Sequence, residues 1–89
     1  MVALDLLGRR GTLRILWELR QQPMNFRALQ QAAQTNPSLL NTRLKELRAV
    51  ELVEHAEGGY RLSDSGEKLL AAMMPLYDWA QRWQGARLP

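Results

Sequence analysis

The sequence predicts a mainly α-helical domain that carries one small β-hairpin. Three observations lead there. Apolar residues recur at helical spacing over residues 12–22, 26–34 and 37–50, and each stretch is opened by a residue type that caps helices. A Gly58-Gly59 pair divides two short β-like runs, which is the signal of a tight hairpin. The 89 residues are 46% hydrophobic and 24% charged, ordinary for one folded domain and too few for two cores.

Val2 to Leu7 is a brief apolar segment stopped by Gly8. Gly11 and Thr12 open the first long helix, with Thr12 as its expected N-cap. Leu13, Ile15, Leu16 and Leu19 share one face, and Arg14 and Glu18 lie opposite. The helix should end near Gln22, because the residue before a proline avoids helical dihedrals and Pro23 follows. Met24 and Asn25 make a tight connection. Asn25 caps a helix from Phe26 to about Gln34, with Phe26, Leu29 and Ala33 inward. Asn36 caps the next helix, and Pro37 suits its first position, where no backbone N–H is needed. That helix runs over residues 37–50. Leu40, Leu44 and Leu47 recur along it at i, i+4 and i+7, with Leu39 and Val50 beside them.

Glu51 to Ala56 then turns β-like through Leu52 and Val53, and Glu57-Gly58-Gly59 turns the chain back into Tyr60–Leu62. Ser63 caps a last helix, with Asp64 favourably placed in its first turn. Leu69, Met73, Leu76, Ala80 and Trp83 form one stripe on it. Pro75 lies inside that pattern and predicts a kink or break near Met74, since the ring removes a donor and crowds the preceding turn. No repeat, linker or low-complexity stretch interrupts the chain, so residues 1–89 read as a single domain.

Composition excludes several classes. The absence of cysteine removes disulfides, thiolate zinc sites and cysteine nucleophiles. No apolar run approaches the ~20 residues that span a bilayer. Met1 to Gly8 lacks the basic lead-in of a signal peptide. A cytoplasmic protein with no membrane partner is the expectation. The single His55, even with Glu51, Glu54 and Glu57 near it in sequence, falls short of a metal-ligand set. Ser38, Ser63 and Ser65 each have a capping or surface explanation, and no Ser-His-Asp set is suggested by spacing. Gly8-Arg9-Arg10-Gly11 lacks the Lys-Ser/Thr ending of a phosphate loop. No catalytic residue, metal or cofactor is therefore expected, and so small a domain has little room for a substrate cleft.

Charge distribution is more informative than net charge. The chain carries +3, but residues 1–50 hold eight basic and three acidic side chains, whereas residues 51–89 hold four basic and six acidic. A basic half in which arginine predominates suits a polyanion.

Three helices followed by a hairpin is the plan of a winged helix-turn-helix domain. With Leu40, Leu44 and Leu47 turned to the core, helix 37–50 presents Ser38, Asn41, Thr42 and Lys45 outward. These are base-reading chemistries: Asn pairs with adenine, Lys reaches guanine acceptors, and hydroxyls serve either role. Arg9, Arg10, Arg27, Arg43, Arg48 and Arg61 are the candidate contacts to the phosphate backbone. Two such helices in successive major grooves, about 34 Å apart, would read a rough palindrome in double-stranded DNA. The late apolar residues exceed what a small core absorbs, and such a surface marks a protein contact. Leu69, Met73, Leu76, Tyr77, Trp79, Ala80 and Trp83, joined by Leu4 and Leu7, are the candidate homodimer interface.

The sequence resembles HxlR-type transcriptional regulators over about residues 3–83. The most specific pieces are L-D-L-L-G (Leu4 to Gly8), N-P-S-L-L-N-T-R-L-K-E-L (Asn36 to Leu47) and Y-R-L-S-D-S-G-E (Tyr60 to Glu67). Pro75 followed by Asp78-Trp79 also fits. The resemblance implies a homodimeric winged-helix repressor or activator. Helix 37–50 would enter the major groove, and terminal helices at about 1–7 and 64–84 would form the dimer interface. Four departures qualify it. Without cysteine, the thiol sensing used by some members has no residue to act through. Gly11 replaces an aromatic usual before the first long helix. Glu51 stands where the family usually has glycine, and a left-handed turn there would strain it by roughly 1–2 kcal/mol. The wing is shorter than the family's and acidic at Glu57, with only Arg61 basic, so it should contact the minor groove weakly or not at all. That wing and the modest net charge also fit a rival function, a winged-helix module that binds protein rather than DNA. No effector is specified, although space near Trp17 or Trp79 could hold one.

Overall fold

Local capping chemistry sets the frame of the middle of the chain. Asn25 accepts a hydrogen bond from the Ala28 amide at 2.8 Å and starts one helix. Asn36 accepts one from the Leu39 amide at 2.8 Å and starts the next, with Pro37 as its first residue. The structure, a computed structural model, describes the backbone of residues 2–87 and the side chains of residues 4–83. In order the elements are α1 (Val2–Leu7), α2 (Thr12–Glu18), α3 (Phe26–Ala33), α4 (Pro37–Ala49), β1 (Val53–Ala56), β2 (Gly59–Leu62) and α5 (Asp64–Arg87). They make a mostly helical winged helix-turn-helix fold with one antiparallel hairpin.

The core lies where α2, α3 and α4 meet beneath the hairpin. Ile15, Leu16, Leu29, Leu40 and Leu47 are each no more than 1% exposed. Leu6 from α1, Val53 and Leu62 from the strands, and Leu70 from α5 complete it. The apolar start of the chain is thus a helical turn that places Leu6 against the core.

Both α3 and α4 end in a left-handed residue that satisfies the last carbonyls. After α4, the Glu51 amide donates to the Arg48 carbonyl at 3.0 Å and the Leu52 amide to the Leu47 carbonyl at 2.9 Å. Glu51 has φ 62°, so the strain expected of a side chain there is present. Gln34 closes α3 in the same way, with φ 53°.

Two helix boundaries differ from the sequence expectation. α2 starts from Gly11, whose left-handed φ of 89° makes it the N-cap, and Thr12 falls one residue inside. Thr12 is therefore driven into the core, and its hydroxyl is buried without a hydrogen-bond partner. The same helix stops at Glu18, four residues before Gln22, because the chain bends ahead of Pro23. At the other end of the chain, helical backbone runs unbroken from Asp64 through Pro75 to Arg87. The ring deprives the Ala71 carbonyl of one donor, and the flanking turns carry the helix across. Ser63 caps α5 as expected: it accepts from the Gly66 amide at 3.0 Å and donates to the Glu51 carbonyl at 2.6 Å.

The hairpin pairs Val53 with Leu62, Glu54 with Arg61, His55 with Tyr60 and Ala56 with Gly59. Glu57 and Gly58 are left as a two-residue turn. A further backbone pairing was not legible in the sequence. Met24, in the α2–α3 connection, exchanges hydrogen bonds with Tyr60 at 2.9 and 2.8 Å. This close approach leaves no room at Gly59, where a Cβ would overlap the Met24 carbonyl. Gly58 also has a positive φ, of 90°, but a Cβ there would meet only Pro23, at an ordinary 3.8 Å.

Gly59→Ala is expected to cost about 2–4 kcal/mol, from steric overlap added to backbone strain, and Gly58→Ala only about 1 kcal/mol. Urea unfolding of the two variants checks this. Equal losses would show that the Met24 approach does not require glycine.

Candidate nucleic-acid interface

One helix divides its two faces between core and solvent. α4 buries Leu40, Leu44 and Leu47. On the opposite side Ser38, Asn41, Thr42 and Lys45 are exposed, as the apolar spacing predicts, and Arg48 is exposed on one flank. The Thr42 hydroxyl donates to the Ser38 carbonyl at 3.0 Å and keeps its acceptor side outward. The side chains of Asn41, Lys45 and Arg48 make no hydrogen bond or ion pair with the described residues. Between α4 and β1 runs an open groove of about 550 Å³. Lys45 and Arg48 line one wall, and Glu51, Glu54 and His55 the other. His55 stacks on Tyr60 with ring centroids 4.2 Å apart. Among the described residues, no three His, Cys, Asp or Glu side chains converge as a metal site.

The six candidate phosphate-binding arginines fall into two groups. Arg10, Arg27 and Arg48 are exposed, and none of the described residues holds their guanidinium groups. The other three are engaged. Arg61 pairs with Glu54 across the hairpin at 3.3 Å. Arg43 is only 14% exposed: its Nη1 pairs with Glu46 at 3.0 Å, and its Nε donates to the Arg10 carbonyl at 2.7 Å. Arg9 ion-pairs with the second oxygen of the same Glu46 carboxylate. Glu46, which sequence reasoning did not single out, therefore joins the α1–α2 turn to the flank of α4. Its i, i+3 spacing from Arg43 was a visible signal for half of this arrangement.

The sequence pattern of the HxlR-like helix-turn-helix family matches residues 6–87, from α1 to the end of α5. The chain belongs to that family. Among curated relatives, an uncharacterized HTH-type transcriptional regulator of Methanocaldococcus jannaschii is 25% identical, over 93% of this chain and 83% of its own length. The crystal structure of quinone-bound YodB from B. subtilis superposes with a TM-score of 0.82 at 31% identity, covering 90% of this chain and 92% of that one. The reduced form of the transcriptional regulator YodB gives 0.72 at 26% identity, covering 97% and 88%. A DNA-binding transcription-regulator fold of the HxlR-like type follows from these matches and from the architecture above.

In this HxlR-like chain the apolar residues of α5 split along its length. Met73 is buried within the chain, and Leu69 and Leu7 pack half-buried against the core. Tyr77 turns inward as well. Its ring lies 4.5 Å from Trp17, and its hydroxyl donates to the Leu13 carbonyl at 3.3 Å. The Arg20 guanidinium covers the Trp17 ring at 3.9 Å. An adjoining side of the same 24-residue helix stays outside the core. Leu76, Trp79 and Trp83 are 55%, 52% and 44% exposed, and Leu4 of α1 is 59% exposed. Ala80 is half-buried, and Trp79 and Trp83 stack at 5.7 Å. No helix among the described residues is long and apolar enough to cross a membrane.

Burial pushes the Tyr77 phenol above its ordinary value of 10.0, and the nearby Arg20 charge opposes this. The unfolded chain ionises first, so the stabilisation is complete below about pH 10 and is lost as pH rises through the higher native value. Tyr77→Phe should therefore lose less stability than the parent between about pH 8 and pH 11. Denaturant midpoints at the two pH values measure this. Equal losses would mean that the phenol is as solvated in the folded chain as in the unfolded one.

Proposed function

We propose that the protein is a sequence-specific regulator of transcription that binds double-stranded DNA as a homodimer, with α4 of each copy in the major groove. One observation carries this reading. The exposed face of α4 offers Ser38, Asn41, Thr42 and Lys45 while its opposite face is locked into the core. A helix held in this way presents its side chains in fixed register, which base reading requires. The unpaired Arg10, Arg27 and Arg48 supply cations for the phosphates on either side. The transcriptional-regulator relatives support the same reading.

The dimer reading rests on the exposed apolar side chains of Leu76, Trp79 and Trp83 on α5, with Leu4 of α1 exposed as well. Clustered aromatic and aliphatic side chains of this kind are characteristic of the centre of a protein interface. Two copies joined there would present two α4 helices to one face of a duplex, and the matching DNA site is a rough palindrome.

The wing favours a second reading in one respect. Glu57 is exposed at the tip, and Arg61 is already paired with Glu54, so the hairpin offers phosphate little attraction. A protein-binding winged helix would tolerate that arrangement. Selection of the purified protein against a random duplex pool separates the two. An enriched inverted repeat supports the regulator, and no enrichment at low salt gives the protein-binding module.

On the selected duplex, Asn41→Ala and Lys45→Ala should each cost ~1–3 kcal/mol of binding and relax preference at individual positions. Unchanged affinity in both would remove this face as the reading surface. Replacing Arg10 or Arg48 by Gln should weaken binding across all sequences and lower the salt slope by about one. In light scattering, Trp79→Glu should convert a dimer to a monomer, because a buried unpaired charge costs several kcal/mol. A mass that does not change would take α5 out of the interface.

A further inference from the structure

The Arg9–Glu46–Arg43 cluster is an unusual use of charge on a surface read as DNA-binding. Glu46 is the one acidic residue of α4, and its carboxylate takes a guanidinium on each oxygen. The two arginines are not held alike. Arg43 is mostly buried and has a second anchor, the Arg10 carbonyl. Arg9 is 49% exposed, and among the described residues Glu46 is the only partner of its guanidinium.

Position gives this asymmetry its meaning. Glu46 follows Thr42 by four residues and precedes Ala49 by three, so it borders the exposed face of α4. Arg9 lies beside Arg10 in the turn that packs against that border. A duplex resting on Thr42 and Lys45 would bring phosphates within a screening length, about 8 Å, of the Arg9–Glu46 pair. The Arg9–Glu46 contact uses one guanidinium nitrogen, Nη1, and a phosphate reaching Arg9 would compete with the carboxylate for that cation. While Glu46 holds Arg9 Nη1, that cation is partly neutralised and fixed in orientation, and is not free to add a full phosphate contact.

We infer that Glu46 is a positioning residue that withholds Arg9 from the DNA backbone and so limits sequence-independent binding. The inference rests on the DNA-binding reading above. It deepens that reading by naming an element that works against affinity. Sequence-independent binding comes almost wholly from phosphate neutralisation, with each contact adding about 0.9 to the salt slope. A chain whose first half is strongly basic would otherwise hold any duplex. Glu46 keeps one of those contacts in reserve and leaves discrimination to Asn41 and Lys45.

The test is the salt dependence of binding to a mixed-sequence duplex, measured for the full chain and three variants whose folding is checked by circular dichroism. Glu46→Gln keeps the shape and removes the charge. Its slope should steepen by about one, so that it loses about threefold more affinity than the parent between 50 and 200 mM salt. Arg9→Gln alone should leave the parent slope within about half a unit, because Arg9 contributes no full phosphate contact while Glu46 holds it. The double variant should return to the parent slope. The inference is overturned if Glu46→Gln leaves the slope unchanged, or if the double variant remains steep. It is also overturned if Arg9→Gln alone lowers the slope by about one, a result that stands even if Glu46→Gln fails to fold. A parent chain with no salt-dependent binding at all would overturn the DNA-binding reading itself, and this inference with it.

Discussion

Leu40, Leu44 and Leu47 must leave water together, and a helix can hide only one side. That constraint organises the domain. Each leucine contributes about 1.5–3 kcal/mol when fully buried, and a chain of this size has few other residues able to do so. α2 and α3 close over the three leucines with Ile15, Leu16 and Leu29, and the hairpin and α5 seal the edge with Val53, Leu62 and Leu70. The opposite face of α4 is exposed as a geometric consequence. Folding does not need that side, which leaves it free for the proposed base reading.

Electrostatics refines what packing leaves open. The Arg9–Glu46 and Arg61–Glu54 pairs lie at the surface, where an ion pair adds at most about 1 kcal/mol of stability. Their larger effect is on which cations remain available. Arg10, Arg27, Lys45 and Arg48 face solvent without acidic partners among the described residues, while Arg9, Arg43 and Arg61 are committed to carboxylates. A count of basic residues therefore overstates the attraction this surface offers to a polyanion. The acidic hairpin adds to the difference.

Much of this was legible in the sequence because it depends on neighbours. Asn25, Asn36 and Ser63 cap helices three residues away, the α4 leucines follow helical spacing, and Gly58-Gly59 marks its own turn. The strained Glu51 could be anticipated from the need to end α4 sharply. The features that escaped depend on distant partners. Thr12 reads as a cap by type, but packing gave that position to Gly11. Arg9 meets Glu46 across 37 residues of sequence, with no local pattern to announce it. Pro75 signals a kink or break, and of the two a break does not occur, because one missing hydrogen bond is tolerated in a helix anchored by Leu70 and Met73 on the side before it. The α5 apolar residues read as one stripe in sequence, but helical phase divides them: Met73 and Tyr77, four apart, face the core, while Leu76, Trp79 and Trp83, at i, i+3 and i+7, lie on an adjoining side that stays outside.

The paired backbone of Met24 and Tyr60 also shapes how the domain can move. A wing joined only at its base could swing on its own. This one is riveted at mid-length to the peptide that leads into α3, so the hairpin and the helix-turn-helix form a single lever. A push on the hairpin tip by a duplex or a neighbouring protein must travel through that rivet into α3, and from there into the tilt of α4. In such a body an acidic hairpin has a mechanical role whatever it meets outside the chain, as a strut braced through Met24 against the helix-turn-helix.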